Sequence, residues 1–183
     1  MTTRKLWRRA LLAAAVVVVA VVSVLLKVTP PPKPDRYSVY DGDTLEVVHG
    51  DCLLAHLHLP CRPQRLRLYG VDAFERTQTC HDAEGKVWDC GSVATARLRQ
   101  LVETPGFHCE VDEEFVDRHA REFAACISEG KDVGAILVSE GLAFAYGRRT
   151  RYVEIESEAK AAHRGAWAGN FVRPQYFRAG ARG

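Results

Sequence analysis

The stretch Arg67-Leu-Tyr-Gly-Val-Asp72-Ala-Phe-Glu75 puts a guanidinium and two carboxylates within nine residues, where an apolar run meets a turn. A second acidic pair lies upstream, in Asp41-Gly42-Asp43-Thr44. Carboxylate oxygens are hard donors that suit Ca2+. Guanidinium groups grip phosphate through paired N–H bonds and stabilise charge building on its oxygens. Carboxylates beside an arginine at a sheet rim are therefore what metal-assisted cleavage of a phosphodiester needs. Asp43 and Asp72 are the candidate metal ligands, and Asp41 is better suited to orienting its own turn. Glu75, three residues past Asp72, is placed to act on a water whose pKa a metal has lowered. Each residue also has a plainer reading. Asp43 could be only a hairpin residue, and Arg67 a surface arginine like Arg65, which shares its strand face.

The elements that must position these groups read as follows. Tyr37–Asp41 and Leu45–His49 alternate as strands about an Asp-Gly hairpin signal. Residues 50–63 look like a strand extension, and Arg65 to Gly70 like a third strand. Residues 75–90 read as a polar loop. Helical spacing over 91–103 gives an apolar face of Val93, Ala94, Leu98, Leu101 and Val102. Strands follow at 107–116 and 121–128, turning at 117–120. Asp132 can cap a short helix that Gly141 ends, and a last helix spans 152–163. Five short antiparallel strands with a helix between the third and fourth predict a mainly β, α+β domain. The expected architecture is a five-stranded OB-fold barrel with three helices.

The N-terminus sets the compartment. Residues 1–9 carry Arg4, Lys5, Arg8 and Arg9, and 10–26 are apolar but for Ser23. A helix of that length spans roughly 26 Å, close to a thin hydrocarbon core. We read it as a transmembrane signal anchor with the basic flank in the cytoplasm. The domain would then face the periplasmic or extracellular side of a bacterial inner membrane; the alternative is secretion after signal cleavage. A Pro-rich linker at 27–36 leads to a domain at 37–172 and a tail at 173–183.

Five of the 25 basic residues and none of the 23 acidic ones fall in residues 1–27, leaving the exported part at net −3. A basic surface covering the whole domain is excluded, so any nucleic-acid affinity must be concentrated at a site. Cys52, Cys61, Cys80, Cys90, Cys109 and Cys126 are even in number and all exported, which makes disulfides the expectation. A local pairing, 52–61, 80–90 and 109–126, is one of fifteen possible; its third bridge would join two neighbouring strands. Zinc is the rival use, with His56, His58 and His81 nearby, but no C-x-x-C pair exists.

Six pieces in order carry a resemblance. They are Val39-Tyr-Asp41-Gly-Asp43-Thr44, Arg67 to Glu75, Cys90-Gly-Ser-Val-Ala-Thr-Ala-Arg-Leu and Asp117-Arg-His-Ala-Arg121, then Val138 to Tyr146 and Glu158 to Trp167. This set resembles the staphylococcal-nuclease-like, or thermonuclease, family over almost all of 37–172, and the cysteines and anchor look like its secreted bacterial members. The resemblance implies a calcium-dependent endonuclease that cuts DNA and RNA with little sequence preference and leaves 3′-phosphates. It implies Asp43, Asp72 and the Ala73 carbonyl as metal ligands, Glu75 as the water-handling carboxylate, and Arg67 and Arg121 on the scissile phosphate. Arg118 would meet a terminal phosphate. Tyr146, ahead of Arg148, Arg149 and Arg151, would stack on a base. Trp167 is expected to pack the last helix.

Two departures bear on activity. Phe74 stands where the family has proline, which removes a stiffener from the loop that aims Glu75. His119-Ala120 replaces Tyr-Gly; if that position needs positive φ, alanine costs about 1 kcal/mol. The assembly is expected to be a monomer. The alternative to an enzyme is a catalytically weak module on the same fold that binds nucleic acid or an envelope partner. An accessory role in cell-surface polymer assembly has no motif behind it.

Overall fold

The computed structural model describes residues 35–50, 61–147 and 150–181. The expected flank at 1–9, the apolar segment at 10–26, most of the linker and most of the 50–63 connection lie outside them. Among the described residues no helix is long and apolar enough to cross a membrane. Residues 35–183 form one compact unit.

Its main sheet runs β1 (Arg36–Val39), β2 (Thr44–Val48), β3 (Gln64–Leu68), β8 (Glu122–Ser128), β7 (His108–Val116) in spatial order. A short β9 (Lys131–Asp132) pairs with β8. The fold is thus mixed α+β and mostly sheet. Two differences from expectation stand out. The β3–β8 ladder is parallel, not antiparallel, because the chain leaves β3, crosses through a helix and β7, and returns in the same sense. Among the described strands no ladder joins the outer pair, β1 and β7; instead Tyr37 meets Phe107 edge-on at 4.9 Å.

Two small sheets flank this one. β4 (Val71–Ala73) pairs with β10 (Ala143–Ala145), setting Asp72 opposite Phe144. The expected polar loop at 75–90 contains a hairpin, β5 (Cys80–His81) with β6 (Val87–Trp88), pinned by the Cys80–Cys90 disulfide. The Cys109–Cys126 disulfide joins directly opposed residues of β7 and β8. Cys61 is also disulfide-bonded, and Cys52 lies outside the described residues.

Helix α1 (Cys90–Val102) buries Ala94, Leu98 and Leu101, one stripe at three- and four-residue spacing. Val93, expected on that face, is 43% exposed. Helix α2 (Val133–Ser139) starts where the Asp132 carboxylate accepts from Ala135 N–H at 2.8 Å, satisfying a free first-turn donor. Helix α3 (Val153–Ala161) is shorter than expected, a 3-10 turn covers Gly165–Ala168, and α4 (Pro174–Arg178) occupies the segment read as a tail.

Two apolar clusters hold the unit together. The larger one packs Leu45, Leu66, Leu68, Val71, Leu98, Val133 and Leu137 between sheet and helices. The smaller one gathers Phe74, Phe144, the Cys80–Cys90 bridge and Ala166, with Trp88, Trp167 and Phe171 against it. Phe74 meets Phe144 at 5.1 Å and Phe171 at 5.9 Å, both edge-to-face, an arrangement aromatic quadrupoles favour.

Candidate active site

Arg67 lies on the central strand, opposite Thr44 of β2 on one side and Phe123 of β8 on the other. It is only 8% exposed. A charge buried there needs partners, and it has three. Nη1 donates to Asp43 Oδ1 at 2.7 Å; Nη2 donates to Asp72 Oδ1 at 3.0 Å and to the Val71 carbonyl at 3.2 Å. Arg65 on the same face instead pairs at the surface with Glu46. Structure thus separates two arginines that register alone could not.

Asp43 closes the β1–β2 turn, and its N–H donates to Asp41 Oδ1 at 3.1 Å, the orienting role expected of Asp41. Its Oδ2 accepts from Ala73 N–H at 2.9 Å, and its Oδ1 from Thr44 Oγ1 at 3.2 Å. Gly42 makes this approach possible: a Cβ there would stand 2.8 Å from Ala73 Cβ. Burial pushes the Asp43 carboxyl up to about 7. Arg67 opposes that rise and Asp41 adds to it, while the Ala73 N–H opposes it and Asp72 adds to it. Burial alone would lower the Arg67 pKa; Asp43 and Asp72 outweigh it and keep the guanidinium charged.

Glu75 stands at the start of the loop after β4. Its N–H donates to Gln78 Oε1 at 3.2 Å, and Gln78 Nε2 donates to the Val172 carbonyl at 2.5 Å. Gly91 lies against its backbone, where a Cβ would stand 1.7 Å from the Glu75 carbonyl oxygen. Arg121 is held by Asp117 through Nε at 2.8 Å and Nη2 at 2.7 Å, and its Nη1 donates to Thr44 Oγ1 at 2.9 Å. Burial would raise the Asp117 pKa, but bonds from the Arg121 backbone and side chain and the His119 N–H hold it down at about 2. Ala120 has φ +57°, so the tight turn before Arg121 does demand the left-handed backbone.

Asp43, Arg67, Ala73, Glu75, Arg118, Arg121 and Tyr146 all line one cleft of about 630 Å3. Tyr146 is 45% exposed, with the Arg67 guanidinium 5.9 Å from its ring. Arg118 is exposed and touches His119. Arg148 and Arg149 lie outside the described residues, and Arg151 pairs with Asp132, not with the cleft. Asp72 is the exception among the expected groups: it is 2% exposed and does not line the cleft. Among the described residues no three His, Cys, Asp or Glu side chains gather as a metal cluster; His56, His58 and Cys52, on which the zinc alternative drew, lie outside them.

Sequence reasoning missed four contributors. Thr44 and Asp117 position Arg121, and Gln78 fixes the Glu75 loop. The fourth is Arg178, from α4. Its Nη1 donates to Asp72 Oδ1 at 3.0 Å and to Glu75 Oε1 at 2.6 Å, and its Nη2 to Asp72 Oδ2 at 3.2 Å. Its only advance signal was its type, an arginine some hundred residues from its partners.

The chain is 28% identical to the succinoglycan biosynthesis protein ExoI of Rhizobium meliloti strain 1021 over 134 residues. That alignment covers 71% of this chain and 62% of the relative, so the chain spans less than two thirds of it. The model of the staphylococcal nuclease homologue family matches residues 65–169, from the arginine strand to the turn that holds Trp167. A match over more than half the chain makes this protein a member of that family.

Proposed function

We propose that this protein is a calcium-dependent endonuclease that hydrolyses phosphodiester bonds of DNA and RNA and leaves 3′-phosphates. The observation that carries the reading is the buried Arg67, clamped between Asp43 and Asp72 beneath a cleft that Glu75 and Arg121 also line. The donor set fits a divalent cation. Asp43 and Asp72 offer hard carboxylate oxygens that converge on Arg67, two of the oxygen ligands that a Ca2+ site needs. Asp43, Asp72 and the Ala73 carbonyl would hold calcium, which supplies charge neutralisation at phosphate and a more acidic water.

The chain's own groups do the rest. Glu75 orients the attacking water and takes its proton. Arg67 and Arg121 bind the equatorial phosphate oxygens and stabilise the charge that grows there as the 5′ P–O bond breaks. The cleft is open, as a site for an internal phosphodiester of a polymer must be. Tyr146 offers a face for a base and Arg118 a charge for a flanking phosphate. We place the domain as a monomer outside a bacterial inner membrane, held there by residues 10–26.

The test is to incubate the full chain with plasmid DNA and with RNA, in calcium and then in chelator. Degradation should require calcium. It should fall by about 10²-fold or more in Glu75→Gln and in Arg121→Ala. Substrate left intact by a correctly folded wild-type protein would sink the enzyme reading. The relative's name, a succinoglycan biosynthesis protein, supports a second reading in cell-surface polymer assembly; retained binding of nucleic acid without cleavage would instead favour a binding module.

A further inference from the structure

Counting lone pairs on Asp72 leads to a constraint. A carboxylate has about four acceptor positions. On Asp72 three are taken: Arg67 and Arg178 share Oδ1, and Arg178 also holds Oδ2. The same Arg178 guanidinium bonds Glu75. Asp72 is the one expected ligand that does not line the cleft, whereas both guanidiniums bonded to it, those of Arg67 and Arg178, do. A cation arriving from the cleft must therefore compete for Asp72 with guanidiniums already bonded to it.

The two guanidiniums on Asp72 are not equally removable. Arg67 sits in the central strand, 8% exposed, with partners on both sides. Arg178 ends a five-residue helix, and its side chain is 38% exposed. Short, surface-borne elements open first.

We propose that Arg178 is a built-in counter-cation, so that docking of α4 on Asp72 and Glu75 and binding of a divalent cation there exclude each other. This rests on the metal reading given above. By linkage, whatever affinity Arg178 takes from the cation, the cation takes equally from the docking of α4. The guanidinium that is released stays beside the cleft, where a phosphate of the substrate is its natural partner. C-terminal docking is thus a gate that calcium and substrate phosphate together would open.

The test is calorimetric titration of calcium into the full chain and its Arg178→Gln and Arg178→Lys variants, with amide exchange followed in parallel. Arg178→Gln should bind calcium on the order of tenfold more tightly, a usual size for linked sites. Arg178→Lys, which cannot fork across two carboxylates, should fall between. In the wild type, calcium should speed exchange at Phe177, Ala179 and Gly180, whose N–H groups close α4. Equal or weaker binding by folded Arg178→Gln, or exchange that ignores calcium, overturns the gate while leaving the metal site standing. Absence of calcium binding in all three proteins overturns the metal reading and the gate with it.

Discussion

Arg121 shows how much scaffolding a single phosphate-facing side chain requires. Asp117 aims it from the preceding turn with two side-chain contacts and also accepts from two backbone N–H groups, those of His119 and Arg121. Because the Asp117 pKa in the folded protein, about 2, lies below its ordinary value, its contribution to stability is full above about pH 4. That contribution is lost as pH falls from about 4 toward 2. Unfolding measured over that window should show a pH slope about one proton steeper in the wild type than in Asp117→Asn. Equal slopes would mean the carboxylate is not held as described. The Arg67 to Glu75 cluster was legible from residue types because charge chemistry needs few groups close in sequence. Arg178 was not, because nothing local marks which distant arginine will fold onto Asp72.

At the scale of elements, the Glu75 loop is stiffened without the proline its family uses there. Phe74 anchors it in the smaller aromatic cluster, Gln78 ties its N–H, and Gly91 at the start of α1 presses on its carbonyl. Gly91→Ala should therefore displace this loop, since a Cβ would overlap the Glu75 carbonyl oxygen. We expect activity to fall by at least about tenfold, the scale of a misplaced catalytic group, with the melting temperature lowered by a few degrees. Full activity in Gly91→Ala would show that Glu75 does not need this seat. Strands and helices with clear period were readable to within a residue or two. The hairpin inside 75–90 was not, since its two-residue strands are too short to show a period and are pinned by a disulfide. The parallel β3–β8 ladder was equally hidden, because alternation reports faces and says nothing of partner direction.

Over the whole molecule, the two clusters divide the labour. The larger one spans sheet and helices, while the smaller one joins Phe74 to Trp167 and Phe171 and so ties the cleft to the end of the chain. A chain ending at residue 170 should keep a folded main sheet yet lose nearly all cleavage, because Phe171 and the Val172 carbonyl are gone. A chain ending at residue 177 should keep the seat of Phe74 and bind calcium more tightly than the full chain. Thermal melts and calcium titrations of the two truncations check both statements; equal behaviour would show that α4 and the aromatic seat are not separate devices. The smaller cluster also has a consequence in time. Synthesis runs from the N-terminus, and Arg67, Asp72 and Glu75 emerge long before Phe171 and Arg178. A chain made only as far as residue 170 cannot aim Glu75, because Phe171 and the Val172 carbonyl are still missing. On the nuclease reading, cleavage is therefore withheld from the growing polypeptide until its aromatic seat has been made.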